Sequence, residues 1–453
     1  MNAWRGASSS ATSPGAWPAR SPWPSPRSPR AADSPAGRAR PSPCRPSPFS
    51  VELPPVVDPL CWEACSVSEV LNLALVGCGG MMGAHRHGLQ LLWEAGYREF
   101  RVVACCDIEE ARAGAMAEGL AAFQGDSPRA YTDLEAMLAE QDDIQAVDLS
   151  PVHRDHHRLA IPALQAGKHV IIEKPLAITM RAGKLILDAA NAADKVLAVA
   201  ENYRRSPENR AIKWAVEGGR IGPVRMIFWI DLGERLWYWT WREHKDQAGG
   251  GWPLDGGVHF ADLFRYHVGP VREVSALVRT YYPFRQQDRE NPDAGLVEVD
   301  VEDTTLANMT FDGDVTGTWI STSAAPAMGF NRRAIYGSEG CADLGAGLKT
   351  RTEEVSLADL TAEYRAQLGE EERERLFPHG VTDGVAQELC EFVRACLYGT
   401  PVETDGLEGY KAEAICFALY ESQALNRPVT TEEIENLEVE VYQQEINAGL
   451  GLV

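Results

Sequence analysis

The sequence predicts an α/β N-terminal part, a doubly wound parallel sheet, followed by an α+β part built on a large, mostly antiparallel open sheet. Three observations carry this. Short apolar runs alternate with helical stretches between residues 70 and about 200; a glycine-rich turn joins the first run to the first helix; and beyond residue 205 the runs lengthen and follow one another across turns. Alternating strands and helices build parallel sheets with crossover helices. Successive strands joined by tight turns pair antiparallel.

The first strand is residues 71–76, a short apolar run of the kind covered on both faces. It opens the stretch LNLALVGCGGMMGAHRH, in which Gly77, Gly79 and Gly80 permit a tight turn and close approach of a ligand to the backbone. Leu89, Leu92 and Trp93 then recur at helical spacing. A helix starting here directs free N–H groups and its positive dipole end over the turn, where a phosphate is usually found. A second strand, 100–106, ends at Asp107, thirty positions after Gly77. A carboxylate there accepts hydrogen bonds from ribose hydroxyls in a dinucleotide site. The spacing is longer than the usual twenty or so because the first helix and its loop are long. Met82 replaces the third glycine of G-x-G-x-x-G, so helix and strand are expected slightly further apart at that point. Met81 and Met82 join the three glycines as candidate cofactor-binding positions.

Helices are expected over 109–120 and 133–140, the latter capped by Thr132. A strand over 144–149 ends in Ser150-Pro151, and a helix over 155–166 is closed by Gly167. A strand over 169–172 runs into Glu173-Lys174-Pro175, followed by a helix over 180–193 and a strand over 196–200. Ligands of such sheets lie beyond the carboxyl ends of the strands. Gly77, Asp107, Ser150-Pro151 and Glu173-Lys174 all fall there, so one crevice collects them. A helix over 207–217 ends at Gly218-Gly219 and opens the second part. Strands are expected over 224–232, 271–282, 297–311, 315–322 and 332–336, with Asp312-Gly313 as a hairpin turn. Late helices cover 357–368, 381–397 and 407–424, and there is no internal repeat.

Composition narrows the partners. The chain has 453 residues and a net charge of −22, which disfavours nucleic acid and anionic membranes. It has no run of eighteen apolar residues, so no transmembrane helix is expected. Ten cysteines are scattered without a C-x-x-C; Cys61 and Cys65 lack the second pair or histidine that zinc would need, and a reduced cytoplasmic location fits. Residues 1–68 do not read as a folded domain. Fourteen of the 28 prolines lie in the first sixty residues, with seven Arg and three acids there. Such a stretch cannot bury enough apolar surface to order itself. A disordered tail, an organelle-targeting peptide and sequence upstream of the true start compete; proline density argues against an amphipathic targeting helix, and the third reading is favoured.

Three groups could do chemistry. In GGGWPLDGGVHFAD (249–262), three glycines suggest a flexible loop, and Asp255 and His259 stand four apart, on one face if the segment is helical. An acid beside an imidazole fixes its tautomer and keeps it basic; the plainer reading is a capping acid and a structural histidine. Lys174, at the end of an apolar strand, is suited to polarise a substrate oxygen if partly desolvated; otherwise it is a surface lysine beside Glu173. Five of the twelve tryptophans, Trp229, Trp237, Trp239, Trp241 and Trp252, fall in one short stretch with Tyr238. Flat aromatic faces wall sugar pockets or pack in cores and subunit contacts. Trp237, Trp239, Trp252 and Tyr203 are the candidate substrate residues. His153, His156 and His157 read as solvated loop histidines, and His85 and His87 as structural ones. No metal site is expected.

These pieces together resemble the Gfo/Idh/MocA family of nicotinamide-dependent oxidoreductases over about residues 70–430. The resemblance rests on the GCGGM turn followed by His85, Asp107, AGKHVIIEKPLA (166–177) and GGGWPLDGGVHFAD; the AGKHV-x-x-EKP run is the specific part. It implies an NAD(P)-binding Rossmann domain (69–203), a C-terminal domain (204–453) for substrate and subunit contacts, and a homodimer or homotetramer through the open sheet. By position it implies Lys174, Asp255 and His259 as catalytic residues, with Glu173 and Ser150-Pro151 on the nicotinamide side. Whether His156 matches the family's helix histidine is left open, because the 150–166 segment runs one residue long. Asp107 favours NAD over NADP, since a 2′-phosphate would meet like charge. The expected reaction is hydride transfer between nicotinamide and a secondary alcohol or ketone of a sugar, cyclitol or derivative. In it His259 takes the hydroxyl proton with Asp255 in support, and Lys174 stabilises the developing alkoxide. Two rivals are an NAD-recycling glycoside hydrolase acting through transient oxidation and a non-catalytic sugar- or cofactor-sensing regulator.

Overall fold

A computed structural model describes residues 70–452; the expectations for residues 1–68 lie outside the described residues. Six strands make the first sheet: β1 (Leu71–Val76), β2 (Phe100–Cys106), β3 (Arg129–Tyr131), β4 (Ala146–Leu149), β5 (His169–Glu173) and β6 (Leu197–Ala200). All neighbours are parallel, in the order β3-β2-β1-β4-β5-β6. Between them run α1 (Gly80–Glu94), α2 (Glu110–Gln124), α3 (Leu134–Glu140), α4 (His156–Gln165) and α5 (Met180–Ala193). β1 lies between β2 and β4, so the strand order reverses beside it, and a crevice opens at the carboxyl ends there. The strands are apolar on both faces because helices cover both: Leu73, Leu75 and Val102 are buried on one side, Ala74, Val76 and Val147 on the other.

The chain continues through α6 (Pro207–Glu217), β7 (Val224–Leu232), α7 (Lys245–Ala248), α8 (Trp252–Asp255), α9 (Val258–His267) and β8 (Val271–Arg279). A separate hairpin pairs β9 (Phe284–Gln286) with β10 (Leu296–Glu298). Then come β11 (Thr304–Phe311), β12 (Thr316–Thr322), β13 (Phe330–Gly337), β14 (Gly340–Asp343), β15 (Gly347–Thr350) and β16 (Glu354–Ser356). Helices α10 (Leu357–Gln367), α11 (Glu370–Leu376), α12 (Gly384–Tyr398) and α13 (Gly406–Leu425) precede β17 (Val429–Thr430), α14 (Thr431–Glu435) and α15 (Gln444–Leu450). The nine-stranded order is β16-β15-β14-β13-β7-β12-β11-β8-β17. Only β7 and β12 run parallel; every other pair is antiparallel.

Two packing features position the site. Trp229 of β7 and Trp319 of β12 are register partners on the covered face, and both are fully buried. Phe264 of α9 meets them edge-on at 5.3 and 5.4 Å, and Phe260 lies 4.7 Å from Trp229. These rings fix α9, which carries His259, on the sheet; truncating any one to alanine is expected to cost about 3–5 kcal/mol. Helix α13 is buried almost all round and packs on β6 and α5 as well as β8 and α9, joining the two sheets through one helix.

Several boundaries differ from expectation. Asp133, not Thr132, caps α3, its carboxylate accepting from the Ala136 N–H. The 297–311 run is broken because Glu302 turns inward to accept from the Gly251 N–H and the Tyr420 hydroxyl, and Asp303 accepts from the Tyr282 N–H. The helix expected from 381 begins at Gly384 behind the Asp383 cap. The Asp312-Gly313 hairpin closes through a three-residue turn, with Gly313 at φ +73°.

Candidate active site

The carboxyl ends of the first sheet open into a cleft of about 550 Å3. Gly77, Gly79, Gly80, Met81, Asp107, Ser150, Pro151, Glu173 and Lys174 all line it. Gly77 has φ +84°, and a Cβ there would sit 2.7 Å from the Ser150 and Pro151 backbone. Only glycine lets β1 and β4 approach this closely. Around Gly79 and Gly80 the space is open. Gly79 is the N-cap of α1 with no side-chain cap, and the first turn holds no acid. The leading N–H groups of α1 are thus left for an anionic group, as a pyrophosphate requires. Asp107 fixes the rim: its carboxylate accepts from the Cys78 N–H at 2.8 Å and the Glu109 N–H at 2.9 Å. The residues present fit a dinucleotide. Met82 is the exception among the expected cofactor positions. It is fully buried in the core behind the turn and does not line the cleft, because the third helical position faces the sheet.

Below the floor of the cleft, His85 of α1 is clamped between two carboxylates. Its Nδ1 lies 2.8 Å from Asp148 and its Nε2 3.0 Å from Glu173. Burial alone would depress its pKa, but Asp148 and then Glu173 raise it well above the usual histidine value. Glu173 is itself pushed up by burial and brought lower overall by His85 and Lys174. Its second oxygen accepts from the Lys174 N–H at 3.0 Å, so the clamp reaches the lysine's backbone.

Lys174 Nζ donates to the Asp255 carbonyl at 2.6 Å and stands 3.8 Å from the Asp255 carboxylate. The same carboxylate lies 3.5 Å from His153 Nε2 and 3.4 Å from Arg242 Nε, yet its Oδ1 is buried without a hydrogen bond. Asp255 therefore serves Lys174, not His259. The acid on His259 is Glu201, just beyond β6, whose Oε2 lies 2.5 Å from His259 Nδ1. The expected pairing fails because Gly256-Gly257 separates α8 from α9, so spacing of four does not put the two side chains on one helical face. Glu173 of β5 and Ala200 of β6 are register partners, so Lys174 and Glu201, the acid on His259, follow at neighbouring strand ends. Tyr203 stacks on the His259 ring at 4.1 Å and 7°.

The glycines at 249–251 are not a flexible loop. All three are buried, and a Cβ would strike Ile178 backbone, the Tyr420 hydroxyl and the Glu302 carbonyl in turn; they let the loop press against the segment following Lys174. The histidines after Ser150-Pro151 are not solvated either. His153, in the turn before α4, and His156 and His157, in its first turn, are all buried. His156 Nδ1 donates to the Pro175 carbonyl at 2.8 Å, and burial lowers its pKa to about 4. Burial also depresses His153, helped by His156, Lys174 and Arg242.

A second hollow, about 90 Å3, adjoins the cleft through Arg242. Trp237, Trp239 and Trp252 wall it. Arg235, Arg242 and Arg285 face Glu243, Asp255, Glu302 and Asp303 there. Burial raises Glu243 and Glu302 above the usual carboxyl range. Trp229 belongs to the core instead, and Trp241 packs edge-on against His153 at 4.6 Å.

The family model for the NAD-binding Rossmann fold of the Gfo/Idh/MocA oxidoreductases matches residues 71–201, and a Gfo/Idh/MocA C-terminal domain matches residues 209–343. Levoglucosan dehydrogenase of Pseudarthrobacter phenanthrenivorans is 31% identical over 292 residues, 60% of this chain and 72% of that protein. Myo-inositol 2-dehydrogenase of Thermotoga maritima is 25% identical over 382 residues, 80% of this chain and 99% of that one. The solved structure of levoglucosan dehydrogenase in complex with NADH and levoglucosan superposes with a TM-score of 0.65 at 25% identity, covering 80% of this chain and all of that one.

Proposed function

The chain belongs to the Gfo/Idh/MocA family of NAD-dependent oxidoreductases acting on CH–OH groups, and from that premise we propose that its substrate is an uncharged cyclic polyol or sugar whose secondary alcohol is oxidised, or ketone reduced, at the Lys174–His259 pair. The observation that carries this is that Lys174, which lines the cleft, is held by Asp255, and Asp255 and Arg242 also line a tryptophan-walled hollow. Three arginines there face four carboxyl groups, so the wall alternates donors and acceptors without net positive charge. Ring hydroxyls satisfy such a wall, and tryptophan faces suit the C–H faces of the ring. A phosphate or carboxylate would meet Glu243, Glu302 and Asp303.

Bound NAD supplies the hydride acceptor. The open N–H groups of Gly80 and Met81 would hold its pyrophosphate, and Asp107 its ribose hydroxyls. In oxidation, His259 takes the hydroxyl proton at Nε2, and the Lys174 ammonium donates a hydrogen bond to the substrate oxygen as charge develops. Asp255 holds the lysine for this through its carbonyl and carboxylate. In reduction the same groups return the proton. Subunit pairing fits the outward face of the nine-stranded sheet, where Leu277, Leu306, Ile320 and Ile230 are successive register partners across four strands and Leu277 is half exposed.

The test is a panel of neutral sugars, anhydrosugars and cyclitols set against their phosphorylated and uronic counterparts, with NADH absorbance followed. Turnover confined to neutral members is expected. Preference for the anionic members would overturn the assignment of substrate class.

A further inference from the structure

We propose that Glu201 is the positioning residue for His259, fixing the imidazole so that Nε2 alone exchanges a proton with the substrate hydroxyl. This rests on the reading of His259 as the base, and its test is separable from that reading. Glu201 is fully buried at the carboxyl end of β6, and its Oε2 lies 2.5 Å from His259 Nδ1. Its other oxygen is buried without a partner, so the carboxyl group is committed to this one contact. Tyr203, stacked on the ring at 4.1 Å, holds the imidazole plane. His259 Nε2 has no hydrogen-bond partner among the described residues.

The chemistry follows from proton counting. When the pair holds two protons, it is either carboxylate and imidazolium or carboxylic acid and imidazole with its N–H at Nε2. In both forms Nε2 carries a proton. When the pair holds one, the proton lies between Glu201 and Nδ1, and Nε2 has its lone pair. Oxidation moves the alcohol O–H proton to Nε2 while the C–H bonding pair leaves as hydride to the nicotinamide, and the oxygen lone pair closes the C=O bond. His85 makes the contrast: both of its nitrogens face carboxylates at 2.8 and 3.0 Å, so it is locked and has no free nitrogen to offer. Burial raises Glu201 above the usual carboxyl range, opposed by His259.

Other charged groups bear on the pair. Glu173 and Lys174 lie at the end of β5, and Asp262 lies on α9, where Arg204 neutralises it. Glu388 of α12 is raised well above the carboxyl range by burial. None of these touches His259 Nδ1.

Glu201→Gln keeps an acceptor for Nδ1–H but removes the charge. The acid limb of kcat/KM is expected to move down by about 1–3 pH units, and kcat to fall about 10²-fold, with the KM for NAD unchanged. Glu201→Asp should bring the limb back toward the wild-type position. In the NAD-free protein, 15N-histidine spectra should show His259, assigned by its loss in His259→Gln, with its proton on Nδ1, and Glu201→Ala should release it to the Nε2–H form. An unmoved acid limb in Glu201→Gln, or an unchanged tautomer in Glu201→Ala, would overturn the proposal. Undiminished turnover by His259→Gln would instead remove His259 as the base while leaving the tautomer result intact.

Discussion

His85→Leu removes the cation that two buried carboxylates share. In the native protein the imidazole lies 3.0 and 2.8 Å from the two Asp148 oxygens and 3.0 Å from Glu173. Histidine and aspartate are fully buried, and the Glu173 side chain is 6% exposed. The loss does not fall equally. Glu173 keeps the Lys174 N–H at 3.0 Å, whereas Asp148 has no other side-chain hydrogen bond among the described residues. Breaking a buried pair from one side costs about 3–5 kcal/mol, because the remaining charge stays buried. The sign with pH follows from the raised native pKa of His85. Above the unfolded value of about 6.5, native His85 still binds a proton that the unfolded chain has released. Its contribution is therefore complete below that value and fades as pH rises through the native pKa. Urea unfolding at about pH 6 and about pH 9 should show the larger wild-type advantage at the lower pH. Adding Asp148→Leu should recover much of the loss. A deficit under about 1 kcal/mol, or one that is the same at both pH values, would refute the clamp as a charged unit.

Three further outcomes are expected. Asp107→Ser should weaken NAD and narrow its preference over NADP, since the carboxylate that would repel a 2′-phosphate is gone; dissociation constants from calorimetry check this, and an unchanged ratio would contradict it. Gly249→Ala should destabilise by more than about 1 kcal/mol, seen in thermal unfolding, because φ is +83° and the added Cβ would lie 2.8 Å from the Ile178 carbonyl. His156 is native in the neutral form with its pKa depressed to about 4. The unfolded chain therefore takes up a proton from about pH 6.5 downward that the native one refuses until about pH 4, and stability should fall by about 3 kcal/mol across that window. His156→Gln should flatten this part of the stability profile; an unchanged slope would contradict it.

What the sequence made legible was mainly what period and turn chemistry encode. Strands apolar on both faces, glycines at the first turn and an acid ending the second strand announced a parallel sheet and its crevice, and all but one of the expected cofactor positions line the cleft. Met82 went the other way because the third position of α1 turns inward, which spacing within a motif does not reveal. Glu201 was missed although the signal was present. It stands at the carboxyl end of a strand, as Gly77, Asp107 and Glu173 do, and the same rule would have included it. The nearer acid, Asp255, drew the histidine because linear spacing of four looks like one helical face, and only the Gly256-Gly257 break separates them. His153, His156 and His157 looked solvated because histidine density after a proline resembles a loop. His153 meets Trp241 and Asp255 and His156 meets Pro175, contacts between segments apart in the chain. The strands over 340–356 lacked a readable pattern because they are three or four residues long.

The most direct measurement pairs NAD binding with turnover in the Lys174→Met, His259→Gln double variant, using a neutral polyol that the wild-type protein oxidises. NAD should still bind by calorimetry, because the proposed pyrophosphate and ribose positions at α1 and Asp107 are untouched, while NADH formation drops by at least about 10²–10⁴-fold. NADH formation at the wild-type rate with NAD still bound would mean that the lysine and histidine are not where the alcohol gives up its proton.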